Sequence, residues 1–236
     1  MKLVPTADKS PSLEITYSGE VSELMHHSHG AFPESVYIYG ETLALAIQHN
    51  IQPHILSIGL GLAYNEILSF CISEKMNIDI SMTTFESEPF LRDSFFQWTQ
   101  GHSENSPLYS SYDTILKMAT DYYQVSISSV REQLKSAFGS KQLVMKNEFQ
   151  FEAIKNEKFS VIFYDPFSNK ASPDFWTESF LSSFLSHHAD LSCIFSTYAA
   201  TGILKRTLKA NKFEVELRNG FGGKRHSTRA IRSSIS

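Results

Sequence analysis

The sequence predicts an α/β fold: a mostly parallel sheet covered by helices on both faces and closed by an antiparallel strand pair. Three observations carry this. Short apolar runs of strand length recur at residues 54–58, 80–85, 159–164 and 191–197 with helical patterns between them, the alternation that builds parallel sheets. The first run breaks at Gly59-Leu60-Gly61 directly before a helical stretch, a strand, glycine turn, helix order. The last two runs, 213–217 and 228–232, are joined by a short glycine-containing loop without a helix, which makes them antiparallel.

Element by element, residues 1–35 form a polar lead-in with one short strand near 13–17 and the run His26-His27-Ser28-His29. A helix is expected over 40–49, where Leu43, Ala46 and Ile47 share a face, and Pro53 stops it. Strand 54–58 and the glycine turn lead into a helix over 63–75. Strand 80–85 ends in Glu86, and Pro89 opens a helix running to Thr99. Residues 101–142, rich in Ser, Tyr and Gln, read as an insert of unclear role with room for helices at 114–123 and 129–138. Strand 159–164 ends at Asp165-Pro166, and helix 173–185, strand 191–197 and helix 202–210 precede the closing pair. No repeat or linker divides the chain, so the 236 residues read as a single domain.

Composition narrows the class. At 42% hydrophobic and 13% aromatic the chain is not bulk-disordered, and at this size it needs no disulfide or structural metal to fold. Cys71 and Cys193 lie in apolar settings and read as buried thiols of a reducing compartment. The first eleven residues lack a signal-peptide core, and no stretch approaches the ~20 apolar residues of a membrane span. A cytoplasmic protein without membrane contact is expected. The net charge of −4 argues against a protein that coats itself with nucleic acid. It hides an asymmetry, because residues 202–236 carry nine basic side chains against two acidic ones, a balance of +7 that leaves −11 on the rest. Such an end docks a polyanion locally or is a solvated helix face with a basic tail.

Ligands of such sheets lie across the carboxyl ends of the strands, so Gly59-Leu60-Gly61 sits where backbone passes close to a ligand and a Cβ would fill the space. Glu86, 25 residues beyond Gly61, is placed to accept hydrogen bonds from both ribose hydroxyls of a nucleotide-type cofactor; its bland alternative is an acid at the helix start before Pro89. Asn65 either contacts the ligand or helps cap the helix. Asp165 ends an apolar strand at the same edge, facing the reacting end of the cofactor or starting an Asp-Pro turn. An acceptor oxygen there suits methyl transfer to an amine, an in-line displacement that needs a neutral nitrogen held and aimed. His26, His27 and His29 lack Cys or acidic partners at tetrahedral spacing, so no metal is expected. Tyr109, Tyr112, Tyr122 and Tyr123 either stack on bases or close a small satellite core.

These motifs also carry a resemblance. Gly59-Leu60-Gly61-Leu62-Ala63-Tyr64-Asn65, Phe85-Glu86-Ser87-Glu88-Pro89-Phe90, Tyr164-Asp165-Pro166-Phe167-Ser168-Asn169 with Pro173-Asp174-Phe175-Trp176-Thr177, and the tail ending in Phe221-Gly222-Gly223-Lys224-Arg225-His226 resemble the MnmC-type tRNA 5-methylaminomethyl-2-thiouridine methyltransferase family. The lead-in Met25-His26-His27-Ser28-His29-Gly30-Ala31 with Glu34-Ser35 does so too. The resemblance covers roughly residues 13–100 and 143–232. It implies a Rossmann-like class I methyltransferase that uses S-adenosyl-L-methionine (SAM) to make the final methylation of the aminomethyl group on a wobble uridine, with tRNA as partner. By the same resemblance Gly59, Leu60, Gly61, Asn65 and Glu86 seat SAM, and Glu148 of the Asn147-Glu148 pair stands near the adenine. Asp165 orients the amine, Phe167 walls the base pocket, and Lys224 and Arg225, helped by Lys205, Arg206 and Arg229, hold phosphates. Ala63 stands where the family has a third glycine, and Asn169 where it has a proline. Bifunctional members add a flavin-dependent oxidase half; no FAD is expected here, and a separate oxidase acting before this protein is implied. The rival readings are a methyltransferase of a small-molecule amine and a non-catalytic SAM- or RNA-binding protein.

Overall fold

In the computed structural model, which describes residues 1–16, 22–102, 106–223 and 226–233, three short strands come first: β1 (Lys2–Pro5), β2 (Pro11–Thr16) and β3 (Ser22–Leu24), paired antiparallel in that order. A helix in three parts follows: α1 (Ala31–Ser35), a π turn (Val36–Gly40) and α2 (Glu41–Gln48). Then come β4 (His54–Ile58), α3 (Tyr64–Met76), β5 (Ser81–Phe85), α4 (Pro89–Thr99), α5 (Pro107–Tyr123), α6 (Ile127–Gly139), β6 (Leu143–Lys146) and β7 (Phe159–Tyr164). The chain closes with α7 (Glu178–His188), β8 (Ala189–Thr197), α8 (Gly202–Ala210), β9 (Glu214–Asn219) and β10 (His226–Arg232).

The seven later strands form one sheet in the order β6-β5-β4-β7-β8-β10-β9. The first five run parallel, and β10 inserts antiparallel between β8 and β9. The expected α/β fold with its antiparallel closing pair is therefore the one that forms. Side chains on successive strand residues point to opposite faces, and here they divide between two apolar layers. Ile55, Val161, Phe163 and Ile194 pack under α1 to α6, while Leu56, Ile162, Tyr164 and Phe195 pack under α7 and α8. Cys71 and Cys193 are buried free thiols, both pushed up to about 12, chiefly by burial.

Several elements differ from expectation. The first helix begins at Ala31, not near residue 40. Pro33 falls in its first turn, where a missing N–H costs nothing, and Phe32, Val36, Tyr39 and Leu43 are buried at helical spacing. The stretch 101–142 is no loose insert: α5 and α6 start at the serine caps Ser106 and Ser126 and pack on α3. Tyr112 is fully buried there against Phe95 and Trp98, as part of the main apolar layer and not of a separate satellite core, while Tyr122 is exposed. The short edge strand β6 was not anticipated. Nor was the break in helix 173–185, where Thr177 is extended and its Oγ1 accepts the Phe180 N–H to cap α7. Among the described residues no helix is long and apolar enough to cross a membrane.

Candidate active site

The carboxyl ends of β4, β5 and β7 converge because their main chains bond across the turns. The Gly59 N–H donates to the Phe85 carbonyl and the Asp165 N–H to the Ile58 carbonyl, each at 3.0 Å. Gly59 has φ +98°, and a Cβ there would lie 2.6 Å from the Asp165 carbonyl oxygen, so glycine alone lets the turn and the end of β7 lie side by side. Gly61, at φ +53°, sits beneath the Met25 sulfur. Ala63 is left-handed, fully buried and the residue before α3, away from the cavity lining; its departure from glycine affects the helix start.

These ends open into a cavity of about 220 Å³. Gly59, Leu60, Gly61, Asn65, Glu86, Glu148, Asp165 and Phe167 all line it. Lys224 and Arg225 lie outside the described residues. Glu86 is buried, and its carboxylate accepts the Gly61 N–H at 3.0 Å and the Glu88 N–H at 2.9 Å. It thereby fixes the glycine turn, and each oxygen keeps lone-pair capacity toward the cavity. The residue capping α4 is Glu88, not Glu86. Asn65 lies in the first turn of α3, whose cap position is Ala63, and its buried side-chain oxygen has no partner among the described residues. An orphaned acceptor on a cavity wall fits a ligand donor.

The loop after β7 is tied down on both sides. The Tyr198 hydroxyl donates to the Pro166 carbonyl at 3.0 Å, and the Trp176 indole N–H donates to the Phe167 carbonyl at 2.8 Å. The Ser168 hydroxyl reaches Glu23 at 2.9 Å, joining the loop to the N-terminal sheet. Asn169 is exposed.

Sequence reasoning missed the contribution of the lead-in. Glu34, Tyr39 and Tyr198 also line the cavity. Glu34 is buried and accepts the His27 N–H at 2.6 Å. Tyr39 is 3% exposed, and its pKa stands well above the ordinary value because of burial first and then the neighbouring Asp165 charge. The helical spacing of Phe32, Val36 and Tyr39 was the available signal. Among the described residues the lining holds five carboxylates, Glu23, Glu34, Glu86, Glu148 and Asp165, and no Lys or Arg. That field favours cationic ligands.

A further carboxyl lies beneath the site. Glu66 on α3 is fully buried; the Thr84 hydroxyl donates to one oxygen at 2.7 Å, and the other oxygen has no partner among the described residues. Burial raises its pKa from 4.5 to about 7, against the lowering effect of the Thr84 hydrogen bond. Because the folded value lies above the unfolded one, its stabilising contribution is full below about pH 4.5 and is lost as pH rises through 7. Glu66→Gln should match the parent near pH 4.5 and exceed it near pH 8, by about 1.4 kcal/mol per unit of displacement. Denaturant unfolding at both pH values checks this, and a pH-independent difference would count against a neutral Glu66.

The Phe221–Gly223 turn is seated on His27: a Cβ on Gly222 would lie 2.5 Å from the His27 ring. His26 lines the cavity, pairs with Ser12 at 3.2 Å and packs edge-on against Tyr64. Among the described residues no group of three or more His, Cys, Asp or Glu is arranged to hold a metal. Much of the basic tail is engaged internally. Arg218 pairs with Glu41 and stacks on Tyr37 at 3.8 Å, Arg229 pairs with Glu216 at 2.7 Å, and Arg232 donates to the Asp190 carbonyl at 2.8 Å. Arg206, Lys209 and Lys212 are exposed.

A family described as S-adenosyl-L-methionine-dependent methyltransferase matches residues 103–233. An uncharacterised protein of Methanocaldococcus jannaschii is 22% identical across 98% of this chain and 59% of its own length. The tRNA 5-methylaminomethyl-2-thiouridine biosynthesis bifunctional protein MnmC of Legionella pneumophila (strain Lens) is 22% identical across 94% of this chain and 36% of its own. The protein of the same name in Hahella chejuensis is 41% identical over 66 residues, 28% of this chain and 10% of the relative. The chain thus spans less than two thirds of the length of each of these relatives. The crystal structure of MnmC2 from Aquifex aeolicus shares the fold, with a TM-score of 0.67 and 22% identity over 100% of this chain and 70% of that one.

Proposed function

The chain belongs to the S-adenosyl-L-methionine-dependent methyltransferases, and we propose that it methylates a primary amine, the aminomethyl group of a modified wobble uridine in tRNA. It is an enzyme and SAM is its cofactor, which sets aside the non-catalytic reading. The observation that carries the amine is the position of Asp165, at the end of β7 against the glycine turn, in a cavity whose described lining has five carboxylates and no Lys or Arg.

When bound, SAM supplies a methyl group activated on a sulfonium. Gly59 and Gly61 let the backbone approach it, Leu60 covers it, Glu86 accepts from the ribose hydroxyls, and Asn65 takes a further donor. Glu148, beside Phe149 at the rim, faces the adenine. Asp165 accepts an N–H of the amine and turns the nitrogen lone pair toward the methyl group, which needs aim more than a strong base. Phe167 walls the base. Glu86→Ala should weaken SAM binding by about 1.5–3 kcal/mol, roughly 10- to 150-fold. Calorimetry reads this, and unchanged affinity removes Glu86 from the cofactor site.

For tRNA the support is the name carried by the MnmC relatives and the contact of the Phe221–Gly223 turn with His27, the residue after the cavity-lining His26; Lys224 and Arg225, which follow that turn in the sequence, are the residues proposed to hold phosphates. A wobble base is already unstacked in its loop. A separate oxidase would act earlier to leave the aminomethyl group. The internal pairing of Arg218, Arg229 and Arg232 favours a second reading, a small-molecule amine as acceptor. Labelled SAM with bulk tRNA from cells that stop at the aminomethyl stage decides between them. Label in tRNA, with affinity falling steeply with salt, supports the first; transfer to free amines alone, insensitive to salt, supports the second.

A further inference from the structure

The π turn that divides the first helix sets Tyr39 on the cavity wall. Such turns are rare, and those that occur are frequently at functional sites. This one lays the Tyr39 ring against Phe163 of β7, with centroids 5.3 Å apart, and turns the hydroxyl toward Asp165, the residue just past the end of that strand. Among the described residues the buried hydroxyl makes no hydrogen bond beyond that approach. A buried polar atom with open capacity, aimed into a cavity, implies a ligand group that fills it.

We propose that Tyr39 and Asp165 form a paired acceptor for the two N–H bonds of a primary amine, and that Tyr39 thereby limits transfer to a single methyl group. This deepens the amine reading given above and rests on it. A neutral primary amine carries two N–H bonds and one lone pair in tetrahedral array. Two acceptors on one side fix both N–H bonds and leave the lone pair one direction to point. The phenol stays neutral over the working pH range, so its oxygen keeps lone pairs for the amine while its proton faces Asp165. The Pro166 carbonyl, the neighbouring candidate for second acceptor, already receives the Tyr198 hydroxyl.

In the step, the amine nitrogen gives its lone pair to the methyl carbon, and the bond from that carbon to sulfur breaks with its electron pair going to sulfur. Positive charge moves from sulfur to nitrogen, and one N–H proton of the resulting ammonium passes to the Asp165 carboxylate and on to solvent. The product amine keeps one N–H. It satisfies one acceptor only, and aiming its lone pair at a second methyl donor would press its new methyl group against the other.

The test is Tyr39→Phe, which keeps the ring against Phe163 and removes the oxygen. Products on the aminomethyl tRNA are read by mass spectrometry of digested nucleosides, with SAM affinity measured by calorimetry. The expected result is a first transfer about tenfold slower, SAM affinity within about twofold of the parent, and dimethylated nucleoside on long incubation. Parental rate with monomethyl product only overturns the proposal, and so does a slowed rate without dimethyl product. A measurement on the parent protein guards against a misfolded variant: tRNA already carrying the monomethylamine should be methylated at least tenfold more slowly than the primary amine, and equal rates overturn the proposal. A parent protein that binds SAM but leaves the primary-amine tRNA unmodified counts against the amine reading itself.

Discussion

Asp165→Ala should slow methyl transfer by about 100-fold or more while SAM affinity stays within about twofold. The residue is assigned to the amine, so its loss leaves the cofactor's contacts in place and removes the group that aims the nucleophile; misalignment of the order of 1 Å already costs about that much. The Tyr198 and Trp176 bonds that hold the loop go to main-chain carbonyls, so the substitution leaves them in place. Asp165→Asn should fall between the variant and the parent, because an amide keeps one acceptor oxygen and loses the charge. Single-turnover rates beside SAM titrations decide the matter. If both quantities fall in proportion, Asp165 is a cofactor ligand and the amine assignment fails.

The second large effect is structural. Gly59→Ala should destabilise the fold by roughly 3–5 kcal/mol, the sum of overpacking and of left-handed strain in a non-glycine residue. The new methyl would meet the Asp165 carbonyl at 2.6 Å, with φ at +98°. At about 2–4 °C per kcal/mol for a chain of this size, the melting temperature should drop by roughly 6–20 °C. Gly101→Ala provides the comparison, because φ is +83° there and, among the described residues, nothing beyond its chain neighbours lies within 4 Å of the added carbon. It carries the strain without the collision. Equal drops in the two variants would show that the contact with β7 is not what holds residue 59 to glycine.

How much of this was legible in the sequence depended on whether the deciding interactions are local. Strands 54–58 and 159–164 were readable because both their faces are buried, which writes an unbroken apolar run into the chain. The same clarity located Glu86 and Asp165, since a polar residue closing such a run marks the sheet edge. The first helix was misread because Pro33 and Gly40 look like breakers out of context, yet one occupies a tolerant first turn and the other a continuous helical conformation. Strand β6 has only four residues and is half-buried at the sheet edge, too little to set a period. Tyr39 and Glu34 were invisible as cavity residues because topology alone brings them to Asp165, across more than 120 residues of chain. The basic tail was legible as charge but not as contact, since the partners that absorb Arg218 and Arg229 are set by β10 entering between β8 and β9.

The contact between Gly59 and the Asp165 carbonyl separates two kinds of position that would otherwise drift together in evolution. It is a main-chain demand, indifferent to which acceptor occupies the cavity, so descendants of this fold that take up new acceptors inherit it unchanged. Of the side chains that line the cavity, Tyr39 is packed in the core against Phe163 and Asp165 is assigned to the amine, which leaves the partly exposed Phe167 as the position open to change. For anyone redesigning the acceptor range, variation belongs first at Phe167, and Asp165, Tyr39 and the strand ends beneath them should be left as they are.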